Sequence, residues 1–320
     1  MRKIILIILL LSIITMIGCN DKGYDDYKLA LEKTNDLKSY ELYWDMKVEM
    51  DYNYEGLDQD EIEMIKKYEN MEMEMISIED YREGYVDSEI YISYGNIGFN
   101  ADYFVSDQGS YLSLPFVEGY IDVSDVEGED FIAMDYKFLI SEDTTDKIQE
   151  LWIETISSEN VFKGDSILID TKDGSVKTTK YTIEINDEIF KEFMSKTLIL
   201  LMKDEEFMEY LKSSELPEDF NVTEFIEEIK KFKLDKFLYE IYVDIDGYIV
   251  SEDIEVVIDS EQEHLLGIDF TLSSNISNIN KEFDFEFPYV DEDDLIKFDE
   301  LKELDEFKEQ LPFEGQEEQQ

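Results

Sequence analysis

Between Tyr40 and Met50 every second residue is apolar: Tyr40, Leu42, Trp44, Met46, Val48 and Met50 alternate with mostly charged neighbours. A period of two is the repeat of a strand with one face buried and the other in water. The same period returns at Met71, Met73 and Met75 against Glu72 and Glu74. Further strands are expected near residues 84 to 93, 98 to 105 and 110 to 114, with Gly84, Gly95 and Gly109 where the turns between them fall. A run of half-buried strands joined by short turns reads as an antiparallel meander with one charged face.

Helical spacing frames that meander. Tyr27, Ala30, Leu31, Thr34 and Leu37 recur at three- and four-residue intervals, with Asp25 and Asp26 suited to a first helical turn. The polar stretch from Glu55 to Asn70 has room for a short helix, and residues 117 to 142 show no period. Ile148, Leu151, Trp152, Thr155 and Ile156 mark a helix that Thr144 or Thr145 would cap. A hairpin follows, from Asp165 to Asp170 and Thr178 to Ile185, turning at Asp173-Gly174. Asp187 opens a helical stripe of Phe190, Phe193, Met194, Thr197, Leu198 and Leu201, continued by Phe207, Met208 and Leu211 as far as Pro217.

Phe225, Ile226, Ile229 and Phe232 form another such stripe. A second hairpin then turns at Asp246-Gly247, with arms of about 237 to 245 and 248 to 258. Leu266, Ile268, Phe270 and Leu272 alternate after it, as do Phe283, Phe285 and Phe287. Two hairpins with Asp-Gly turns, each after a helix, suggest a duplicated unit, on weak grounds. No linker divides the chain, so one α+β domain is expected over residues 24–290, with residues 291–320 an acidic tail.

The first eighteen residues have a different composition. Arg2 and Lys3 precede an apolar run from Ile4 to Ile17, the pattern of a secretory signal. Fourteen helical residues reach about 21 Å, short of the roughly 30 Å hydrocarbon core of a bilayer. The run ends in Met16-Ile17-Gly18-Cys19, which resembles the lipobox of bacterial prolipoproteins, with methionine where leucine is commoner. The resemblance implies cleavage before Cys19 and attachment of diacylglycerol and a further acyl chain such as palmitate to its thiol. Cys19 is the only cysteine, so no disulfide forms within the chain, and lipidation accounts for a lone thiol in an exported protein. Residues 19–23 would be a tether, and several acyl chains on one residue anchor stably where one is marginal. The expected location is the extracytoplasmic face of the cell membrane.

Charge narrows the partners. Asp and Glu number 81 against 28 Lys and Arg, a net −53; losing Arg2 and Lys3 with the leader leaves −55. Such a surface repels nucleic-acid backbones, and it has no basic patch for anionic lipid headgroups, so membrane contact would come through the anchor. Catalytic chemistry is poorly provided for. His264 is the sole histidine and reads as a surface or edge residue rather than a base. No G-x-S-x-G, phosphate-binding glycine loop or H-E-x-x-H occurs. With so many carboxylates, a glycosidase-like pair is uninformative. Neither Asp244-Ile245-Asp246-Gly247 nor Asp291-Glu292-Asp293-Asp294 has the ligand spacing of an EF-hand. No catalytic residue, metal ligand or cofactor beyond the lipid on Cys19 is assigned.

The order of parts resembles bacterial lipoproteins of the LolA and LppX/LprG-like fold: a lipobox, a helix ending at Leu37-Lys38-Ser39-Tyr40, a long meander, helices and late hairpins. Lys180-Tyr181-Thr182-Ile183-Glu184-Ile185 and Tyr242-Val243-Asp244-Ile245-Asp246-Gly247-Tyr248-Ile249-Val250 look like recurring segments of such proteins. The resemblance implies a curved antiparallel sheet forming a half-open barrel packed on several helices, with a lipid or other hydrophobic ligand in the hollow. Trp44, Met46, Met73, Met75 and Tyr181 fall on inward faces and are the candidate lining, methionine being an adaptable one. The competing expectation is that these side chains fill an ordinary core and that the protein is an interaction module of the cell envelope, its protein partner unspecified.

Overall fold

The computed structural model describes residues 22–95, 97–123, 140–172, 174–205, 207–208, 226–227, 229–260, 264–291 and 294–297. In chain order the elements are α1 (Lys22–Asn35), β1 (Ser39–Tyr52), α2 (Gln59–Lys66), β2 (Asn70–Asp80), β3 (Tyr85–Tyr94), β4 (Ile97–Ser106), β5 (Gly109–Ser113) and β6 (Tyr120–Asp122). Then come α3 (Glu142–Thr155), β7 (Val161–Thr171), β8 (Gly174–Ile183), α4 (Asp187–Leu201), β9 (Phe232–Asp244), β10 (Ile249–Ser260), β11 (Leu265–Ser277) and β12 (Leu295–Lys297). Residues 1–21, with the expected leader and Cys19, the stripe beyond Met208, Phe225, and residues 298–320 lie outside the described residues.

All twelve strands join one curved, unclosed sheet in the order β12-β6-β5-β4-β3-β2-β1-β11-β10-β9-β8-β7. Two meanders, β1 to β6 and β7 to β11, are welded where β1 pairs with β11 along nearly its whole length, from Glu41 opposite Ser277 to Met50 opposite Ile268. Matched alternation favours that weld. It sets Met46 beside Leu272 and Val48 beside Phe270 on one face, and Lys47 beside Thr271 on the other.

The sheet is mixed rather than purely antiparallel, because β12 runs parallel to β6. A parallel neighbour cannot be joined by a tight hairpin, and after β11 residues 278–291 run back towards the far edge with their rings on the outer face of the sheet. There Phe285 and Phe287 stack on each other (5.2 Å between centroids) and both meet Tyr85 edge-on, while Phe287 stacks on Phe104. The alternation of Phe283, Phe285 and Phe287 thus aims aromatic rings at a sheet without making a strand. Leu295–Lys297, within the expected acidic tail, form the edge strand of the sheet. Gly119 makes the join possible: a Cβ there would lie 2.3 Å from the Asp294 carbonyl oxygen.

Helices α1, α3 and α4 cover the inner face of the half formed by β1 and β11 to β7. Their Tyr27, Ala30, Leu31, Ile148, Trp152, Phe193 and Leu198 share one buried cluster with Ile183, Tyr239, Ile241, Val256 and Phe270. Ser141, one turn before the expected threonines, caps α3 by accepting from the Thr144 N–H (3.3 Å); its hydroxyl is fixed by donating to Asp204 (2.5 Å). Asn186 caps α4 through the Ile189 N–H (2.9 Å). Phe232 begins β9 instead of ending a helix: it is buried opposite Ser260, and Asp187 accepts the N–H of nearby Leu234 (2.8 Å).

Candidate functional site

The register places the candidate residues in two adjacent cross-strand rows of the inner face. One row runs Ile90, Met75, Trp44, Ser274, Glu252, Ile241, Tyr181 and Lys163, from β3 to β7. The next runs Ile92, Met73, Met46, Leu272, Ile254, Tyr239, Ile183 and Val161. Trp44, Met46, Met73 and Met75 therefore form one patch on β1 and β2. Tyr181 shares their face and row but lies beyond β11, β10 and β9.

Their surroundings differ. Met46 and Tyr181 are buried in the helix-covered core, and Tyr181 stacks on Tyr27 of α1 (6.4 Å, 26°). Burial raises the Tyr181 hydroxyl's pKa, against the pull of Lys163, whose ammonium pairs with Asp26. Trp44, Met73 and Met75 are only partly buried. Met73 and Met75 also pack against a second cluster, Ile90, Ala101, Tyr103, Leu112, Leu114 and Ile121, to which no described helix contributes.

Two residues in the Trp44 row are charged, Lys163 at its β7 end, paired with Asp26, and Glu252 on β10. Glu252 receives a hydrogen bond from the Tyr239 hydroxyl on one oxygen and from Ser274 Oγ on the other (3.3 Å). Burial pushes its carboxyl up to about 7; the two hydroxyls pull the other way, and Asp253 adds a smaller upward push. Tyr239 is fully buried and its pKa is raised well above the ordinary value, first by burial and then by the charge of Glu252. The Tyr27 hydroxyl stands beside it. Glu252 thus lies two strands from Trp44, about 10 Å along the ladder.

Sequence reasoning missed Glu252. The signal is the alternation Ile254, Val256, Ile258, which puts Glu252 inward when extended one step back. Extended forward from Ile249 the same rule gives the opposite answer, because the register shifts between Ile249 and Ser251.

Of the remaining candidates, the hairpin turn at Asp246-Gly247 falls where the sequence puts it, whereas His264 is partly buried beside β11, an interior strand of the sheet. His264 sits at the start of β11, partly buried, and its Nδ1 donates to the Asn53 carbonyl (3.2 Å). Asp244 closes the second hairpin by accepting from the Tyr248 N–H (2.8 Å), with Gly247 at φ 88°. Among the described residues no group of three or more His, Cys, Asp or Glu is placed to hold a metal ion, and no helix is long and apolar enough to cross a membrane. Neither a protein family's sequence pattern nor a curated protein sequence matches this chain.

Proposed function

We propose that this protein is a lipoprotein of the LolA and LppX/LprG-like kind, held by lipids on Cys19 at the extracytoplasmic face of the cell membrane and acting without covalent chemistry. In this reading the open, curved sheet is a half-barrel whose inner face over β1 to β4 holds a lipid acyl chain or similar apolar ligand. The observation that carries it is the partly open patch of Trp44, Met73 and Met75, continued by Ile92 and Phe99, on the face that is otherwise the core. Each methylene a ligand buries there contributes about 0.8 kcal/mol. The leader and lipobox support the location, and the net charge of −53 supports attachment by the anchor rather than by a basic surface.

A second reading, an envelope interaction module with a filled core, is favoured by the burial of Met46 and Tyr181 under the helices. Native mass spectrometry of protein gently purified from bacterial membranes separates the two. A stoichiometric acyl lipid, lost on Trp44→Glu with the circular dichroism unchanged, is expected for the half-barrel. A clean unliganded mass that takes up no lipid on incubation favours the module. For the anchor, Cys19→Ala is expected to release the exported protein from membranes, and continued partitioning would overturn lipidation as the tether.

A further inference from the structure

The two edges of the sheet are finished differently. β12 is three residues long, whereas β7 has eleven and pairs with β8 alone. The start of β7 is covered: Val161 is buried, Gly23 of α1 lies against Lys163, and the Lys163 ammonium pairs with Asp26. A bulge between Lys163 and Ser166 then breaks the register, a common guard on an edge strand. Beyond the bulge the guards stop. Ser166 to Thr171 run in unbroken register against β8, and Leu168 and Ile167, on opposite faces, are 69% and 37% exposed. The Thr178 hydroxyl on β8 donates to the Ile167 carbonyl (3.4 Å), so the Ile167 backbone faces β8. By alternation the N–H and C=O groups of Ser166, Leu168 and Asp170 face the open side, where no other strand or loop bonds to them among the described residues.

We propose that the stretch from Ser166 to Asp170 is a docking edge, which extends the sheet with a strand of a partner protein that is aliphatic in its middle and basic at its ends. Main-chain bonds to Ser166, Leu168 and Asp170 would hold the strand, with Leu168 packing on one face and Ile167 and Ile169 on the other. Charge selects the occupant. Of the nearby lysines, Lys163 is paired with Asp26, Lys172 with Glu41, and Lys177 stands one strand back on β8, opposite Leu168. Asp165 and Asp170 are the charges of the edge itself, and Asp170 is held by the Ser175 hydroxyl (2.6 Å) rather than by a cation. The net charge of −53 draws in a basic segment and opposes a second copy of this chain. The inference goes beyond the apolar-ligand reading and does not depend on it, because β1, β11, β10, β9 and β8 all stand between β7 and the methionines of β2.

The test uses the processed full-length protein in nonionic detergent and a dye-labelled peptide of alternating valine and threonine with lysine at both ends, read by fluorescence anisotropy. Leu168→Pro removes one outward N–H and sets a ring against an incoming strand, while the ladder to β8 keeps its bonds. It is expected to weaken peptide binding at least about ten-fold with the circular dichroism unchanged. Two arms on the native protein do not depend on how that variant folds. The same peptide with N-methylated backbone amides, and a version ending in glutamate, are each expected to bind at least about ten-fold more weakly. Binding of the lysine peptide is also expected to weaken as salt rises from about 0.05 to 0.5 M. No binding of the lysine peptide, or equal binding by Leu168→Pro, by the N-methylated peptide or by the glutamate peptide, would overturn the proposal. A dimer that strengthens with salt and excludes the peptide would overturn it as well, and would make a second copy the occupant of the edge.

Discussion

The two halves of the sheet obey one alternation rule and cover themselves differently. In the half made of β1 and β11 to β7, three helices seal the inner face so fully that Ile183, Tyr239, Ile241, Val256 and Phe270 are all 0% exposed. In the wing of β2 to β6, the inner cluster is built among the described residues from strands and the loop after β5, and Met73, Met75, Ile92 and Phe99 stay partly open. Among the described residues the wing is covered on its outer face, by the aromatic strap of Phe285 and Phe287 and by Val290. Helices bury a large continuous area, whereas a strap holds a few rings. The helix-covered half is therefore expected to be the more stable one, with Trp44 and Glu252 near the joint.

The largest expected effect tests whether the halves unfold together. Phe193→Ala removes a fully buried ring packed on Trp152 and is expected to cost about 3–5 kcal/mol in urea unfolding. Hydrogen exchange should then accelerate in both halves; protection lost only in β7 to β11 would mean that the wing stands alone.

Glu252→Gln sharpens the comparison at the joint. The folded carboxyl titrates at about 7 against an ordinary 4.5, so the folded chain keeps a proton that the unfolded chain releases between those values. Native stability therefore falls as pH rises from about 4.5 to about 7 and remains lower above it. The glutamine variant is expected to gain up to roughly 3 kcal/mol over the native protein at pH 8 and little at pH 4.5. Parallel pH profiles for the two proteins would show that burial at this position imposes no such cost.

The smallest effect isolates the strap. Phe287→Ala is expected to cost about 1 kcal/mol, the scale of an aromatic pair, and to raise hydrogen exchange in β3 to β6 while leaving β9 to β11 unchanged. A change spread evenly over the sheet would erase the distinction between the halves.

Much of this was legible before any coordinates. The alternation from Tyr40 to Met50, the methionine strand, both hairpins and the stripe of α4 place Trp44, Met46, Met73, Met75 and Tyr181 on inner faces. Which of them would be sealed was not, because burial depends on whether a helix lies over that stretch of sheet. Glu252 was hidden by a bulge: one extra residue reverses the parity of β10, and among so many acidic residues a glutamate on a strand reads as an outward one. The aromatic alternation at 283–287 was visible but pointed to a strand, since period two reports which side a residue faces and not whether its backbone finds a partner.

The amino-acid sequence by itself determined the local elements, the buried and charged faces of each strand, and the turn at Gly247, because these follow from side-chain period and backbone preference within a few residues. Only the tertiary structure decided that β1 pairs with β11 to weld two meanders into one sheet, that β12 returns parallel to β6, and that Glu252 shares a row with Trp44. Side-chain alternation states that a strand has an inside; it does not state which strand lies beside it, and that choice is made by matching whole faces and edges across the fold.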